Sequence, residues 1–302
     1  MNLGKLVQRF RIDRPETFKL SSFDPSDTGG FKIDKDEAKK MVADQAKHLA
    51  SLQERLYAQD KWAVLMILQG MDASGKGGIV EHVLYGVNPM GCEVHAFKAP
   101  TSEELDHDFL WRVAQRVPSR GRIGIFDRSH YEECLIVRVH PEILAKQKLP
   151  PRLVTKNIWK ERFEDIRAFE RHLVRNGTVV LKFHLRVSKE EQRQRFLDRL
   201  DDAGKRWKFN MGDVKERDLW PRYMAAYQDL IRKTSTKEAP WIVVPADHKW
   251  FARLVVSAAL IEALEKIDPK FPALQGSSPA EIKKVRAALE AEGEKGKRRD
   301  KA

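Results

Sequence analysis

Apolar and polar positions along the chain alternate between two rhythms. Short, mostly apolar runs at 62–68, 92–97, 122–126, 178–187 and 241–244 read as buried strands. Between them the apolar residues recur at helical spacing. Ala38, Met41, Val42, Leu49, Leu52 and Leu56 predict a helix that Asp34 and Glu37 begin as a capping pair and that ends near Asp60. Thr101 and Glu104 form a capping box for a helix running through Leu105 to Arg112. Pro150-Pro151 precedes a long helix over 154–175, Ser188 and Glu191 cap another, and Trp220, Tyr223 and Tyr227 mark a third. Pro245-Ala246-Asp247 leads into a last helix ending near Ile267. Strands alternating with helices predict an α/β fold: a parallel five-stranded sheet flanked by helices on both faces. Such sheets bind ligands at the carboxyl ends of their strands, where Asp72, Asp127 and Asp247 all fall.

The ends of the chain lack this rhythm. Residues 1–33, broken by Pro15, Pro25 and Gly29-Gly30, predict an extended arm packed on the body or on a partner subunit. Residues 34–272 form the folded domain, and 273–302 a low-complexity charged tail, either a frayed helix or disordered.

The first strand breaks into Gly70-Met71-Asp72-Ala73-Ser74-Gly75-Lys76-Gly77-Gly78 and then into helix-forming residues. The spacing from Gly70 to Gly75-Lys76 is that of a Walker A P-loop. Glycines bring backbone N–H groups up to an anion, the following helix aims its positive end at the same point, and Lys76 adds a full charge. One position departs: Gly77 stands where a Ser or Thr hydroxyl would hold Mg²⁺, and Asp72 is the new ionisable group inside the loop. The alternative is a glycine turn that binds nothing. Some fifty residues on, Ile123-Gly124-Ile125-Phe126-Asp127 delivers a carboxylate from an apolar strand, a Walker B pattern. Asp72 and Asp127 either share a metal, or Asp72 orients an incoming phosphate. Arg128 projects into the same cleft or makes a salt bridge at a helix start. Glu132 or Glu133, one turn beyond it, faces the cleft or an exposed helix side. Gln192, Arg193, Arg195 and Arg199, followed by Arg206, Trp207, Lys208, Lys215 and Arg217, form a basic segment bracketing a loop, which predicts a lid over about 193–217 closing on phosphates. His107, His130 and His140 lack metal-ligand spacing.

Charge sharpens the choice of ligand. The 302 residues carry a formal charge of +12, of which +3 lies in the segment 276–302 and +9 in the body. The partner to expect is a polyanion: nucleic acid, an anionic membrane or a polymeric phosphate. Cys92 and Cys134 lie far apart in apolar surroundings, which argues against a disulfide framework or zinc cluster and fits a reducing cytoplasm. No apolar run approaches the ~20 residues of a membrane span and no signal-peptide core is present, so a soluble cytoplasmic protein is expected.

Taken together, Gly70 to Gly78, Lys98-Ala99-Pro100, Leu105 to Arg112, Phe126 to Glu132 and Trp207-Lys208-Phe209 resemble the polyphosphate kinase 2 family over roughly 34–267. The resemblance implies a P-loop kinase core like that of thymidylate kinase with a helical lid. It implies phosphate transfer between inorganic polyphosphate and a nucleoside mono- or diphosphate, with Mg²⁺ as cofactor. Asp72 and Asp127 are then the acidic pair around metal and acceptor phosphate. Lys76, Arg128, Arg193, Arg195 and Lys208 become phosphate contacts, beside the loop residues Gly70, Ala73, Ser74, Gly75, Gly77 and Gly78. The family characteristically lacks the hydroxyl at the Gly77 position. Glu132 is similar to the subgroup accepting both AMP and ADP, whereas many of its members have Asp at the Gly77 position, so ADP use is the firmer expectation. The implied products are ATP or GTP from ADP or GDP, with a reversible reaction and a homo-oligomer. Two other readings stay open: an ATP-dependent nucleoside monophosphate kinase, and a non-enzymatic P-loop module binding nucleic acid, although recognisable nucleic-acid motifs are lacking.

Overall fold

A computed structural model describes residues 3–31, 35–273 and 278–299. All five strands are parallel: β1 (Ala63–Gln69), β2 (Cys92–Ala96), β3 (Ile123–Asp127), β4 (Thr178–Arg186) and β5 (Trp241–Pro245), in the order β2-β3-β1-β4-β5. Every residue of β1 is buried, as a central strand covered on both faces requires. The chain leaves β1 toward β2 and leaves β3 in the opposite direction, toward β4. The carboxyl end of β1 is therefore the topological switch point, where open α/β sheets hold their ligands.

Right-handed crossovers send the connecting helices to opposite faces. One face carries α1 (Leu3–Phe10), α2 (Lys35–Gln59), α3 (Lys76–Val83) and α12 (Lys249–Ile267); α12 packs against the other three and is buried along most of its length. The other carries α6 (Ile136–Val139), α8 (Ile158–Arg175) and α11 (Trp220–Thr234). The shorter helices α4 (Ser102–Asp106), α5 (Trp111–Ala114), α7 (Pro141–Lys146) and α10 (Met211–Glu216), with the longer α9 (Lys189–Asp201), lie in the connections. Among the described residues no helix is long and apolar enough to cross a membrane.

Two sequence expectations need correction. The capping box of Thr101 and Glu104 forms, but its helix stops at Asp106 instead of continuing to Arg112. The Asp108 carboxylate accepts the Leu110 N–H at 2.9 Å, an Asx turn that competes with the helix ladder, and Trp111 restarts a separate turn. The N-terminal segment is not simply extended. Leu6, Val7 and Phe10 sit one helical turn apart and are buried, and after α1 the chain covers the outer edge of β5 through Ile12 N–H to Trp241 O at 2.8 Å. That contact removes an open sheet edge. The cap expected at Asp34 lies outside the described residues. In the tail, α13 (Pro279–Arg299) forms a separate unit begun by a reciprocal Ser278–Glu281 capping box.

The arm's packing has a measurable consequence. Phe10 is 2% exposed and meets Phe251 edge-on at 5.7 Å. Phe10→Ala should cost ~3–5 kcal/mol in urea unfolding, as for a core phenylalanine; a loss under ~0.5 kcal/mol, as for a surface residue, would show the arm to be peripheral.

Candidate active site

The loop after β1 is shaped by three positions. A Cβ at Gly70 would lie 2.8 Å from Leu185 O and 2.7 Å from Ser74 Oγ, so only glycine fits. Gly75 at φ +107° and Ala73 at φ +60° curl the loop into the left-handed region before α3 begins. Lys76 is buried and folds back over the loop, donating from Nζ to Gly70 O at 2.9 Å and Met71 O at 3.4 Å. Gly77 is different: a Cβ there meets nothing within 4 Å. The missing hydroxyl is thus a chemical choice and not a steric one.

Asp127 ends β3 opposite Leu68 of β1 and Ala96 of β2, which brings it beside the loop. Its Oδ1 is buried without a hydrogen-bond partner among the described residues. Arg128 adopts φ +63°, anchors its N–H on Leu68 O at 3.1 Å, and reaches back to donate from Nη2 to Asp72 Oδ1 at 3.0 Å. Burial disfavours the Arg128 charge, but Glu132, Asp72 and Asp127 together outweigh it and hold the guanidinium more firmly protonated. Burial pushes the Glu132 carboxyl upward against the opposing pull of Arg128 and Lys76. Gln69 fixes this turn. With its amide oxygen accepting from Ser129 N–H and Oγ, both at 3.1 Å, its nitrogen donates to Glu132 Oε1 at 2.9 Å.

The Asp127 oxygen is an unmet need for a cation. A hard divalent ion held by one or two carboxylates, with substrate phosphates and water completing its shell, fits Asp127 and Asp72. Among the described residues no group of three or more His, Cys, Asp or Glu is placed to hold an ion.

The residues expected to form a lid part company. Arg195 is buried, and its guanidinium donates to Ala73 O at 2.9 Å, Ser74 O at 3.0 Å, Asp247 O at 3.1 Å and Ala246 O, while Nε bonds Glu191 at 2.7 Å. It braces the loop from behind. Arg193 instead lies exposed on the outer side of α9, paired with Glu190. Lys208 is exposed and lines a cleft of about 300 Å³ beside Ala73, Ser74, Gly75 and Gly78. Six cations line this cleft (Arg195, Arg199, Lys205, Lys208, Lys249 and Arg253) against two carboxylates, Glu81 and Asp198. Burial lowers the affinity of both Lys249 and Arg253 for their protons, with neighbouring Arg195 adding to the effect on Lys249.

Gln192 and Arg217 of the basic segment act together: Gln192 Nε2 donates to Asp72 O at 2.8 Å, and Arg217 donates to the Gln192 oxygen at 2.7 Å. Sequence spacing missed two further residues. Asp213 of α10 comes close enough to Asp72 that burial first, and then that carboxylate, raise its proton affinity, with Arg199 and Arg128 opposing. Glu216, at the end of the same helix, accepts from Tyr223 OH at 2.7 Å and pairs with His140 Nε2 at 2.9 Å. Asn210 caps α10 by accepting from Gly212 N–H at 2.8 Å.

Comparison with known proteins shows the family. Residues 32–272 match the family model described as Polyphosphate kinase 2 (PPK2). The chain is 44% identical over 284 residues to an ADP-polyphosphate phosphotransferase of Rhodopseudomonas palustris, covering 94% of this chain and 98% of that one. It is 46% identical over 266 residues to an AMP/ADP-polyphosphate phosphotransferase of Meiothermus ruber, covering 88% and 96%. The crystal structure of polyphosphate kinase 2 from Arthrobacter aurescens TC1 superposes with a TM-score of 0.85 at 40% identity, over 95% of this chain and 97% of that one. With a family model matching most of its length and relatives above 40% identity along nearly all of theirs, the chain belongs to the polyphosphate kinase 2 family.

Proposed function

We propose that this protein transfers the terminal phosphate of inorganic polyphosphate to ADP, giving ATP, and also phosphorylates AMP. The observation that carries the reading is the cleft beside the glycine-rich loop, where five cations besides the buried Arg195 face two carboxylates. A polymer with a negative charge on every phosphate needs such a row of cations, and offers no base or sugar to be recognised. The names of the Rhodopseudomonas and Meiothermus relatives support ADP and AMP as acceptors.

In this reading the donor chain lies along Arg199, Lys205, Lys208, Lys249 and Arg253, with its end over the N-terminus of α3 and Lys76. The acceptor's terminal phosphate oxygen attacks the last phosphorus of the chain, the bridging P–O bond breaks, and the polymer leaves one phosphate shorter. Arg128 neutralises charge on the transferring group, and Asp72 orients that arginine. Asp127 and Asp72 would hold Mg²⁺, which would offset phosphate charge during the transfer. Because the bond broken and the bond formed are both phosphoanhydrides, the reaction runs in either direction with substrate ratio. GDP is taken as a further acceptor giving GTP.

The direct test incubates purified protein with long-chain polyphosphate, Mg²⁺ and AMP, ADP or GDP and resolves the nucleotides. ATP formed from ADP without added nucleoside triphosphate supports the reading; turnover of AMP only when ATP is supplied would make the protein a monophosphate kinase instead. Arg128→Gln should lower kcat on the order of 10³-fold with unfolding unchanged. Asp127→Asn, which keeps the shape and removes the charge, should likewise lose turnover, and wild-type rates from it would remove Asp127 from the chemistry. Lys249→Ala combined with Arg253→Ala should raise KM for polyphosphate about tenfold and leave KM for ADP within about twofold. Equal shifts in both would place the donor elsewhere.

A further inference from the structure

Beneath the turn that presents Arg128 and Glu132 lies a closed ionic network in the core. Lys182 of β4 and Glu170 of α8 are 0% and 2% exposed, and Tyr131 is fully buried beside them. Lys182 Nζ donates to Glu170 Oε2 at 2.6 Å, to Thr234 O at 2.7 Å and to Tyr131 OH at 3.1 Å, which uses all three of its hydrogens. Tyr131 OH in turn donates to the other carboxylate oxygen, Glu170 Oε1, at 2.6 Å. Trp241 Nε1 closes the floor by donating to Thr234 Oγ1 at 2.8 Å. His130 lies against the same carboxylate, 3.7 Å from Glu170 Oε1.

Stability does not account for this arrangement. Taking two charges fully out of water is costly, and well-packed apolar residues in their place often stabilise a protein. What the network does have is a strategic attachment point. Tyr131 is three residues beyond Arg128, and its N–H donates at 3.1 Å to the Ser129 Oγ that also holds Gln69. On the opposite side of this short turn stand Arg128, at φ +63°, and Glu132. A non-glycine residue in the left-handed region persists only where its surroundings over-determine it.

We propose that the Lys182–Glu170 pair is a positioning device: through the Tyr131 hydroxyl it fixes the turn that holds Arg128 and Glu132 against the acceptor phosphate. The claim rests on the phosphotransferase reading given above for the role of Arg128, but its structural half stands without it. Tyr131, Lys182 and Glu170 touch no substrate and act only through the turn.

Two variants test it. Tyr131→Phe removes one oxygen. The triple variant Tyr131→Phe, Lys182→Met, Glu170→Met replaces the network with apolar side chains and leaves neither charge unpaired. Both should remain folded by thermal unfolding. With ADP and saturating polyphosphate, both should lose kcat about tenfold to a hundredfold, as expected for displaced catalytic groups, with KM for ADP raised and KM for polyphosphate unchanged. Amide hydrogen exchange over residues 128–135 should rise at least about tenfold in both, while β4 and α8 stay protected. Folded variants with wild-type kcat, wild-type KM for ADP and unchanged exchange in that turn would overturn the proposal. So would global unfolding of both, which would make the network a stability element. If the wild type itself makes no ATP from ADP and polyphosphate, the functional reading falls, and the exchange measurement still decides whether the network fixes the turn.

Discussion

One ion pair joins two loops that the sheet order makes neighbours. Arg128 follows β3 and Asp72 lies in the loop after β1, 56 residues away in sequence, and their 3.0 Å contact ties the anion cradle to the strand-end carboxylate. The contact forms because β1 and β3 pair in parallel with Leu68 opposite Asp127, so both chains reach the switch point at the same height. Arg128 can turn back only by entering the left-handed region, and its own N–H on Leu68 O holds it there. The pair is partly exposed, which limits its worth to stability. Its consequence is placement, since it joins the glycine-rich loop after β1 to the turn after β3.

Around that pair the protein uses cations in two distinct ways. Arg195, Arg162 and Lys182 are buried and spend their donors on carbonyls and carboxylates of the chain itself. Lys205 and Lys208 are exposed on a short connection, Lys205 beside Asp202. Burial with full hydrogen bonding turns a charge into a brace whose geometry is fixed, because any displacement leaves a desolvated group unpaired. Exposure leaves a charge free to follow a ligand at little cost. The same residue types thus build both the rigid and the adaptable halves of the site.

Much of this was legible in the sequence where chemistry sits in contiguous residues at a strand end. The P-loop, Asp127 and Arg128 fall where the strand-loop-helix pattern puts them, and so do the five parallel strands. Residues bridged by tertiary folding were not. Gln69, Asp213 and Glu216 acquire their partners from segments far away in sequence, and no local spacing marks them. The lid arginines show a finer limit. Arg193 and Arg195 are two apart on one helix and point to nearly opposite sides; only the side shared with Gln192 and Phe196 meets the loop. At the N-terminus, Leu6, Val7 and Phe10 do have helical spacing, but α1 is only two turns long and is followed by a stretch with no rhythm. Its helicity comes from packing on α12, which is tertiary information.

The division between rigid and adaptable halves follows from the chemistry of the two proposed substrates. A polyphosphate presents the same charged unit at every step, so its site needs field strength and tolerance of sliding more than shape. Exposed lysines on a short connection meet that need. A nucleotide must place a single oxygen in line with the phosphorus it attacks, and misplacement by an ångström costs about a hundredfold in rate. That end of the site accordingly has the buried Gln69–Ser129–Glu132 bonds, the left-handed Arg128 and the ionic network below Tyr131. The open space at Gly77 belongs to the same logic. In the proposed reading, a hydroxyl there would add a fixed ligand on the donor side, where the polymer would have to advance, while the carboxylates of Asp72 and Asp127 would hold the acceptor's side still.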